Sequence, residues 1–348
     1  VVDQKANLGV VITASHNPAE WNGFKFKPHY GGSATPDLVS LLESQISSLE
    51  VDRKVKNIPL EEACREGIVN LFDAGQIYRQ NIKELVDLDS IKNAGLNVAV
   101  DSMFGSGAGY FAALLEGGDT KVVELRGEPN PLFPGMTQPE PIAHNLSQLI
   151  STIRGQSFDV GLATDGDADR LGVVCDRGEF ITTLQTFALI CFHQLEFMKR
   201  RGPLVRSITM TSAVDKLGKI YDVQTFVTPV GFKFLGPVMM REDALVAGEE
   251  SGGYAFRGNI PERDGILSGL MILEMMVNTN KRISELVEML TDLVGAHHYH
   301  RLDLTFKDSE RKNRLTFRDL PYTLQGICRL IYNFYTRLFI VESPRENI

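Results

Sequence analysis

Residues 158–178, FDVGLATDGDADRLGVVCDRG, contain two apolar runs separated by a loop with three carboxylates at alternate positions. The runs at residues 159–163 and 171–175 are short and are bounded by turn residues, which is typical of buried strands. Strands on both sides would hold the acidic loop at a fixed edge of a sheet. The stretch therefore predicts an α/β layer that presents an acidic loop.

The same alternation of β-branched runs, turns and amphipathic helices recurs on both sides of this stretch and favours an α/β fold. Further strands are predicted at residues 8–13, 96–100, 208–211, 225–228 and 244–247, and we expect the first of them to be buried. Helices are predicted at residues 36–49 and 110–115, then after Asp264 and Ser284 as N-caps. Residues 101–109 lack the full GxGxxG spacing, so they indicate a tight turn between a strand and a helix and not a dinucleotide loop.

Composition limits the classes of function. The 348 residues are 43% hydrophobic, which is enough apolar material for two to three cores. A net charge of -8 argues against a nucleic-acid binder, and no apolar stretch reaches the ~20 residues needed to cross a bilayer. The four cysteines are scattered without a CxxC pair, which favours a reducing compartment: Cys64, Cys175, Cys191 and Cys328. We therefore expect a cytoplasmic protein with neither nucleic-acid nor membrane partners.

The acidic loop predicts a metal site. Asp165, Asp167 and Asp169 repel one another on so short a loop, and a hard divalent cation relieves that repulsion. Magnesium suits such oxygen ligands. A solvated acidic turn is the alternative, whereas an EF-hand is disfavoured because Arg170 stands at the position that requires glycine.

A serine is the second candidate for chemistry. Residues 9–18, GVVITASHNP, form an apolar strand that delivers Ser15 into a turn ended by proline. A serine hydrolase is disfavoured because there is no GxSxG elbow and the adjacent His16 is poorly placed as a triad base. The serine is therefore a possible nucleophile, and a plain turn remains the alternative.

Taken together, these segments resemble the phosphoglucomutase/phosphomannomutase family of α-D-phosphohexomutases, over roughly residues 1–305. TASHNP at residues 13–18 is similar to the phosphoserine signature of the family, and DGDADR at residues 165–170 to its metal loop. GEESGG at residues 248–253 is similar to its sugar-recognition loop. Three further segments also match: NGFK at residues 22–25, TPVGFK at 228–233 and PERDG at 261–265.

The resemblance implies a phosphohexomutase that interconverts hexose 1-phosphates and hexose 6-phosphates. Phosphorylated Ser15 would donate its phosphoryl group to the hexose phosphate, with glucose 1,6-bisphosphate as intermediate and activator. Mg²⁺ would be held by Asp165, Asp167, Asp169 and the Ser15 phosphate, and neutralise charge during transfer. The remaining catalytic residues implied are His16, Lys25 and Arg170.

The resemblance also implies which residues bind the hexose phosphate. Glu249 and Ser251 would hydrogen-bond sugar hydroxyls, with Lys233 and Arg263 near the substrate. Plainer interpretations stay open: Glu249 and Glu250 as exposed acids at a strand end, Asp264 as only a helix cap, and Lys233 as a surface lysine. Some relatives have histidine where Gly253 stands, so the epimer preference is open, and we favour glucose over mannose.

The predicted architecture is three consecutive α/β/α layered domains, the first incomplete, with a remnant of a fourth α+β domain. The predicted domains are residues 1–65 with the phosphoserine, 75–180 with the metal loop, 181–295 with the sugar loop, and a remnant at 296–348. The remnant lacks the family's phosphate clamp. Each lost charge-assisted hydrogen bond would cost ~1.5–3 kcal/mol, so turnover would be slowed.

Two other functions remain open at this point. One is a Mg-dependent phosphatase with Asp165 as nucleophile, because a strand followed by Asp-x-Asp also suits aspartyl-phosphate chemistry. The other is an inactive or weakly active fragment that only binds sugar phosphate or Mg²⁺. The sequence carries no prediction of oligomeric state.

Overall fold

The computed structural model describes residues 1–52, 57–300 and 341–343. Its strands are β1 Leu8–Ile12, β2 Phe24–Pro28, β3 Asn97–Asp101, β4 Lys121–Leu125, β5 Val160–Thr164, β6 Leu171–Cys175, β7 Phe180–Ile181, β8 Leu204–Ser207, β9 Thr225–Thr228, β10 Val246–Gly248, β11 Tyr254–Phe256, β12 His298–His300 and β13 Val341–Ser343. Its α-helices are α1 Pro36–Asp52, α2 Leu60–Arg65, α3 Gly75–Leu85, α4 Leu88–Lys92, α5 Tyr110–Leu115, α6 Ser147–Gly155, α7 Thr183–Phe192, α8 Ala213–Ile220, α9 Phe232–Arg241, α10 Gly265–Thr279 and α11 Ile283–Val294. Over this part of the chain, no helix has the length and apolarity needed to span a membrane.

The first unit is the antiparallel pair β1–β2, followed by α1. The strand predicted at residues 8–13 is present as β1, but the expectation that it is buried is wrong, because Leu8 and Ile12 are 50% and 61% exposed. Within the described residues β1 pairs only with β2, so the pair lacks the neighbouring strands that would bury it. The pairing sets Val11 opposite Lys25 and brings both ends of the serine loop together.

The second unit is a five-stranded sheet in the order β4-β3-β5-β6-β7. β3 runs parallel to β4 and β5, whereas β6 is antiparallel to β5. Every residue of β5 and β6 is buried, as the two apolar runs predict. Because β5 and β6 are paired neighbours, the acidic loop is the tip of a hairpin at the sheet edge.

The third unit is a four-stranded sheet in the order β11-β10-β8-β9. β9 agrees with the strand predicted at residues 225–228, whereas the strand predicted at 208–211 is wrong. The preceding strand, β8, ends at Ser207. The Met210 amide then donates to the Ser207 carbonyl and closes a turn. Hydroxyl-bearing residues 209, 211 and 212 fill that turn.

Helix α10 joins the second and third units through a shared core. The Asp264 side chain accepts a hydrogen bond from the Leu267 amide at 2.8 Å, which confirms it as the N-cap. A Cβ on Gly269 would lie 2.6 Å from the Phe111 ring, so glycine lets α10 pack closely on α5 of the second unit. The predicted cap of the next helix is wrong, because Ser284 lies inside α11 and donates to Asp176 at 3.2 Å.

Part of the predicted fourth-domain remnant is described. β12 and β13 form an antiparallel pair in which Tyr299 lies opposite Glu342. Residues 301–340 and 344–348 of the predicted remnant lie outside the described residues.

Candidate active site

The serine loop connects β1 to β2 and is closed by its own backbone. The Thr13 amide donates to the Gly23 carbonyl at 3.0 Å, and the Ser15 amide donates to Thr13 Oγ1 at 2.8 Å. Ser15 has a φ of 55°, in the left-handed region that non-glycine residues rarely adopt. Such backbone costs free energy and is enriched at functional sites, which is consistent with a functional role for this serine.

The acidic loop folds around Asp165. Its Oδ1 accepts hydrogen bonds from the amides of Asp169 at 2.9 Å and Arg170 at 3.1 Å. These bonds turn the loop back on itself, with Ala168 at a φ of 57°. Carboxylate oxygens of Asp165, Asp167 and Asp169 thereby lie within 4.8 Å of one another.

The two loops meet at Ser15. Its hydroxyl donates to Asp167 Oδ1 at 2.9 Å and lies 3.3 Å from Asp165 Oδ2. The approach depends on Gly166, because a Cβ there would lie closer than 3.0 Å to the Ser15 carbonyl oxygen. The predicted serine and the predicted acidic loop therefore form one site, although about 150 residues separate them in sequence.

Two basic residues flank the carboxylates. Lys25 Nζ donates to Asp167 Oδ2 at 2.7 Å and lies 3.7 Å from Asp169 Oδ2. Burial alone would raise the pKa of Asp167, but the charge of Lys25 and the hydrogen bonds from Lys25 and Ser15 outweigh it and lower the pKa to about 2. Arg170 Nε lies 3.7 Å from Asp165, whose pKa is nevertheless raised by burial and then by the charges of Asp169 and Asp167.

His16 lies beside the serine hydroxyl, with Nδ1 at 3.4 Å from Ser15 Oγ. Burial and then the nearby Arg170 lower the pKa of His16 to about 4. The imidazole is therefore neutral near pH 7, so a ring nitrogen can accept a proton. The arrangement suits a group that assists proton transfer at Ser15.

The acidic loop fits a hard divalent cation. Asp169 Oδ1 is buried and accepts no hydrogen bond from the described residues, although Arg170 Nε lies 3.9 Å away. Burial and the two neighbouring carboxylates disfavour the charged form of Asp165 and raise its pKa, and a bound divalent cation would offset that cost. All the candidate ligand atoms are oxygens, the type that Mg²⁺ prefers. This donor set favours the metal site over a solvated acidic turn.

The sugar-recognition segment forms a tight turn between β10 and β11. Glu249 is buried, and its Oε1 accepts a hydrogen bond from the Gly231 amide at 2.7 Å. Burial raises the pKa of Glu249, while Arg263 opposes that shift. Ser251 Oγ is also buried and has no hydrogen-bond partner among the described residues. Glu249 is thus not an exposed strand-end acid, and Ser251 offers an unsatisfied hydroxyl.

Arg263 reaches the acidic loop, whereas Lys233 does not. Arg263 Nη2 lies 2.6 Å from Asp169 Oδ2, and its Nη1 lies 3.5 Å from Glu249 Oε2. Lys233 is exposed in the first turn of α9, with Nζ over the neighbouring Phe234 ring at 5.3 Å, and forms no ion pair with the described residues. The structure thus brings every predicted site residue except Lys233 and Ser251 into contact with the acidic loop or its immediate partners.

Sequence reasoning missed the groups outside the acidic loop that contact it and hold its conformation. Glu140, from the proline-rich segment at residues 128–141, forms an ion pair with Arg170 at 3.4 Å. The Ser106 amide donates to the Gly166 carbonyl at 3.0 Å, and a Cβ on Gly105 would lie 2.8 Å from that carbonyl. The segment at residues 101–109, predicted as a tight turn, therefore also buttresses the acidic loop. Its glycines were the only available signal.

Comparisons with known proteins match three segments of the chain. Three parts of the phosphoglucomutase/phosphomannomutase family match: α/β/α domain I at residues 1–52, domain II at residues 76–178 and domain III at residues 185–293. The phosphoglucomutase/phosphomannomutase of Thermococcus kodakarensis is 31% identical over 285 residues, which cover 82% of this chain and 60% of that protein.

Two further relatives differ in their assigned sugar. A Thermococcus gammatolerans protein assigned as a phosphoglucosamine mutase is 32% identical over 272 residues, covering 78% of this chain and 58% of that protein. The crystal structure of a Thermus thermophilus protein assigned as a phosphomannomutase is similar with a TM-score of 0.78 and 32% identity, covering 86% of this chain and 67% of that one. The chain spans about 60% of the length of the curated relatives it matches.

The three domain matches occur in family order, and each contains one element of the site: the serine loop, the acidic loop or the sugar-recognition turn. Together with the 32% identity to a solved structure, they show that this chain belongs to the phosphoglucomutase/phosphomannomutase family.

Proposed function

We propose that this chain carries the phosphoryl-transfer site of a phosphohexomutase, with Ser15 as the carrier. The observation that supports this most is the contact of the Ser15 hydroxyl with Asp167 at 2.9 Å and Asp165 at 3.3 Å. A nucleophile at a cluster of oxygen ligands is suited to phosphoryl transfer, because catalysis of that reaction is largely positioning and charge neutralisation. The proposed reaction interconverts hexose 1-phosphates and hexose 6-phosphates through a 1,6-bisphosphate.

Residues of this chain would perform the transfer as follows. A hydroxyl oxygen of the bound hexose phosphate would bond to the phosphorus on Ser15 as the bond from phosphorus to Ser15 Oγ breaks, and the proton lost by the sugar hydroxyl would end on Ser15 Oγ, which leaves as the free serine hydroxyl. Neutral His16, whose Nδ1 lies 3.4 Å from Ser15 Oγ, would assist the arrival of that proton at the serine oxygen. Lys25 and Arg170 hold positive charge beside the reacting oxygens.

Asp165, Asp167, Asp169 and the phosphate on Ser15 would hold Mg²⁺. When bound, the ion would supply charge neutralisation for the transferring phosphoryl group. Glucose 1,6-bisphosphate would act as the phosphoryl donor that charges Ser15 and as the intermediate of turnover. The ammonium group of Lys25 has three donors, so it could keep its hydrogen bond to Asp167 while it donates another to the phosphate.

The sugar would bind at the turn between β10 and β11. Glu249 is fixed by the Gly231 amide and can accept from sugar hydroxyls, and the unpaired hydroxyl of Ser251 can donate to or accept from another. We place glucose first among the substrates, with mannose and glucosamine phosphates next. Arg263, which contacts Glu249, would bind the substrate at this turn. The exposed position of Lys233 gives it at most a peripheral contact with substrate.

The geometry disfavours a phosphatase that uses Asp165. That carboxylate is fully buried, with Oδ1 accepting two backbone amides and Oδ2 lying near the Ser15 hydroxyl. An attacking carboxylate needs a free lone pair aimed at the incoming phosphorus. Ser15 is the more accessible of the two groups.

Phosphorus NMR tests the proposal by following glucose 1-phosphate, mannose 1-phosphate and glucosamine 1-phosphate, each with Mg²⁺ and glucose 1,6-bisphosphate. We expect conversion to the 6-phosphate, fastest for glucose, and no conversion by Ser15→Ala. Conversion undiminished in Ser15→Ala would refute the carrier role. Binding without conversion by a folded chain would instead support the fragment that only binds ligand.

A further inference from the structure

Arg263 contacts carboxylates from three separate segments of the chain. Its guanidinium lies 2.6 Å from Asp169 in the acidic loop, 3.5 Å from Glu249 in the sugar-recognition turn and 3.7 Å from the neighbouring Glu262. Only 15% of the side chain is exposed, so water screens these charges weakly. Burial disfavours the cation, but the charges of Asp169, Glu262 and Glu249 outweigh it and raise the pKa of Arg263.

Glu262 extends these contacts into the first unit. It pairs with Lys27 of β2, and the Ser33 hydroxyl donates to it at 2.6 Å. Glu262 thus has a cation of its own in Lys27. Arg263 shares its charge with all three carboxylates, and Asp169 and Glu249 belong to two different segments of the candidate site.

Gly253 makes room for this arrangement. A Cβ at residue 253 would lie 2.7 Å from Cγ of Arg263 and closer still to its Cδ. The side chain of Arg263 therefore occupies the space that a side chain at residue 253 would need. The Phe232 ring lies 5.7 Å from the guanidinium and limits its movement on another side.

We propose that Arg263 couples the acidic loop to the sugar-recognition turn, so that a ligand bound at one segment changes how well the backbone of the other segment is ordered. The inference rests on the proposed function, since it assigns a ligand to each of the two segments. A cation bound at Asp169 would weaken the ion pair between Asp169 and Arg263. Arg263 would then pair more strongly with Glu249. Linkage then requires that ligand binding at the sugar-recognition turn change the affinity for the cation by the same factor.

Hydrogen exchange on the full chain tests the coupling first without metal. We expect Arg263→Lys to speed amide exchange about fivefold at both residues 165–170 and residues 248–253, because separate guanidinium nitrogens contact Asp169 and Glu249 and a single ammonium lacks that spread. The control is Arg241→Lys, whose side chain is 64% exposed and pairs with Glu242. Exchange equal to that of the wild type in the two segments would overturn the proposal.

A Mg²⁺ titration then separates coupling from a merely structural role. In the wild type, saturating Mg²⁺ should change exchange at residues 248–253 by about fivefold, whereas in Arg263→Lys the change should be under about twofold. A structural role would lower stability in both states and leave that ratio unchanged. An equal Mg²⁺ response in both proteins would therefore overturn the proposal. If calorimetry detects no Mg²⁺ binding to the wild type, the proposed function fails; equal metal-free exchange of the two proteins at residues 165–170 and 248–253 would overturn the coupling as well.

Gly253→Ala supplies an independent route to the same contact. The added methyl should displace Arg263 and speed exchange in both segments, as Arg263→Lys does. The double variant Gly253→Ala with Arg263→Ala should behave like Arg263→Ala alone, because the Cγ and Cδ atoms that clash with the added methyl are then gone. Additive effects of the two substitutions would show that Gly253 acts without Arg263 and would count against the shared space.

Discussion

Replacing Gly166 by alanine should separate the serine loop from the acidic loop. The new Cβ would lie closer than 3.0 Å to the Ser15 carbonyl, with Pro139 and Phe133 at 3.2 and 3.5 Å on the other side. Backbone and packed rings cannot yield easily, so the loops must part by about 1 Å to reach ordinary contact. A displacement of that size at a catalytic group costs about 100-fold in rate, whereas overpacking costs about 1–3 kcal/mol of stability.

The assay is the initial rate of phosphoryl transfer from glucose 1,6-bisphosphate to Ser15, read by intact mass alongside a thermal melt. We expect the rate for Gly166→Ala to fall about 100-fold while the protein remains folded. Gly155→Ala is the matched control, because no atom lies within 4 Å of its added Cβ, and it should leave the rate unchanged. A Gly166→Ala protein that phosphorylates at the wild-type rate would refute the account of how the loops meet.

Three further predictions follow from charges and caps. Lys25→Met should tighten Mg²⁺ binding about tenfold by calorimetry, because it removes the cation that competes for the carboxylates, and weaker binding would contradict this. Asp264→Ala should lower the free energy of unfolding by about 1–3 kcal/mol in urea, since α10 loses its N-cap and the Tyr78 hydroxyl loses its acceptor at 2.9 Å; an unchanged midpoint would argue against that role. Acid should destabilise the chain partly through Glu262: burial opposes its ionisation, but Lys27 and Arg263 outweigh burial and lower its pKa. Its stabilisation is therefore present above the ordinary value of 4.5 and is lost as the pH falls through the lowered pKa, and Glu262→Gln should flatten the decline of Tm between pH about 6 and about 3.

Local patterns predicted the elements that carry the chemistry. The runs that became β5 and β6 are apolar throughout and bounded by turns, so their burial and the position of the acidic loop between them followed from sequence. The Asp264 cap followed likewise from a cap residue that precedes an apolar helix. The wider assembly of the site came from a family resemblance, which supplied the pairing of Ser15 with the acidic loop.

Other features depend on contacts that are distant in sequence, and local patterns could not predict them. The apolar residues of β1 look like a buried strand, yet their exposure depends on which strands pair with β2 and β1. Ser284 has the right residue type for a cap, but α11 begins one residue earlier and Asp176 binds the Ser284 amide and hydroxyl. The bridge made by Arg263 needs three segments in register, which no single segment encodes.

The most direct test of the central claim is peptide mapping after the purified chain is incubated with Mg²⁺ and glucose 1,6-bisphosphate. The account predicts one phosphoryl group, located on Ser15, and none on the Ser15→Ala variant under the same conditions. Omission of Mg²⁺ should slow its appearance, since the three carboxylates would then lack their counter-cation. Phosphate on Asp165, or none at all on a chain that calorimetry shows to be folded and to bind Mg²⁺, would contradict the account.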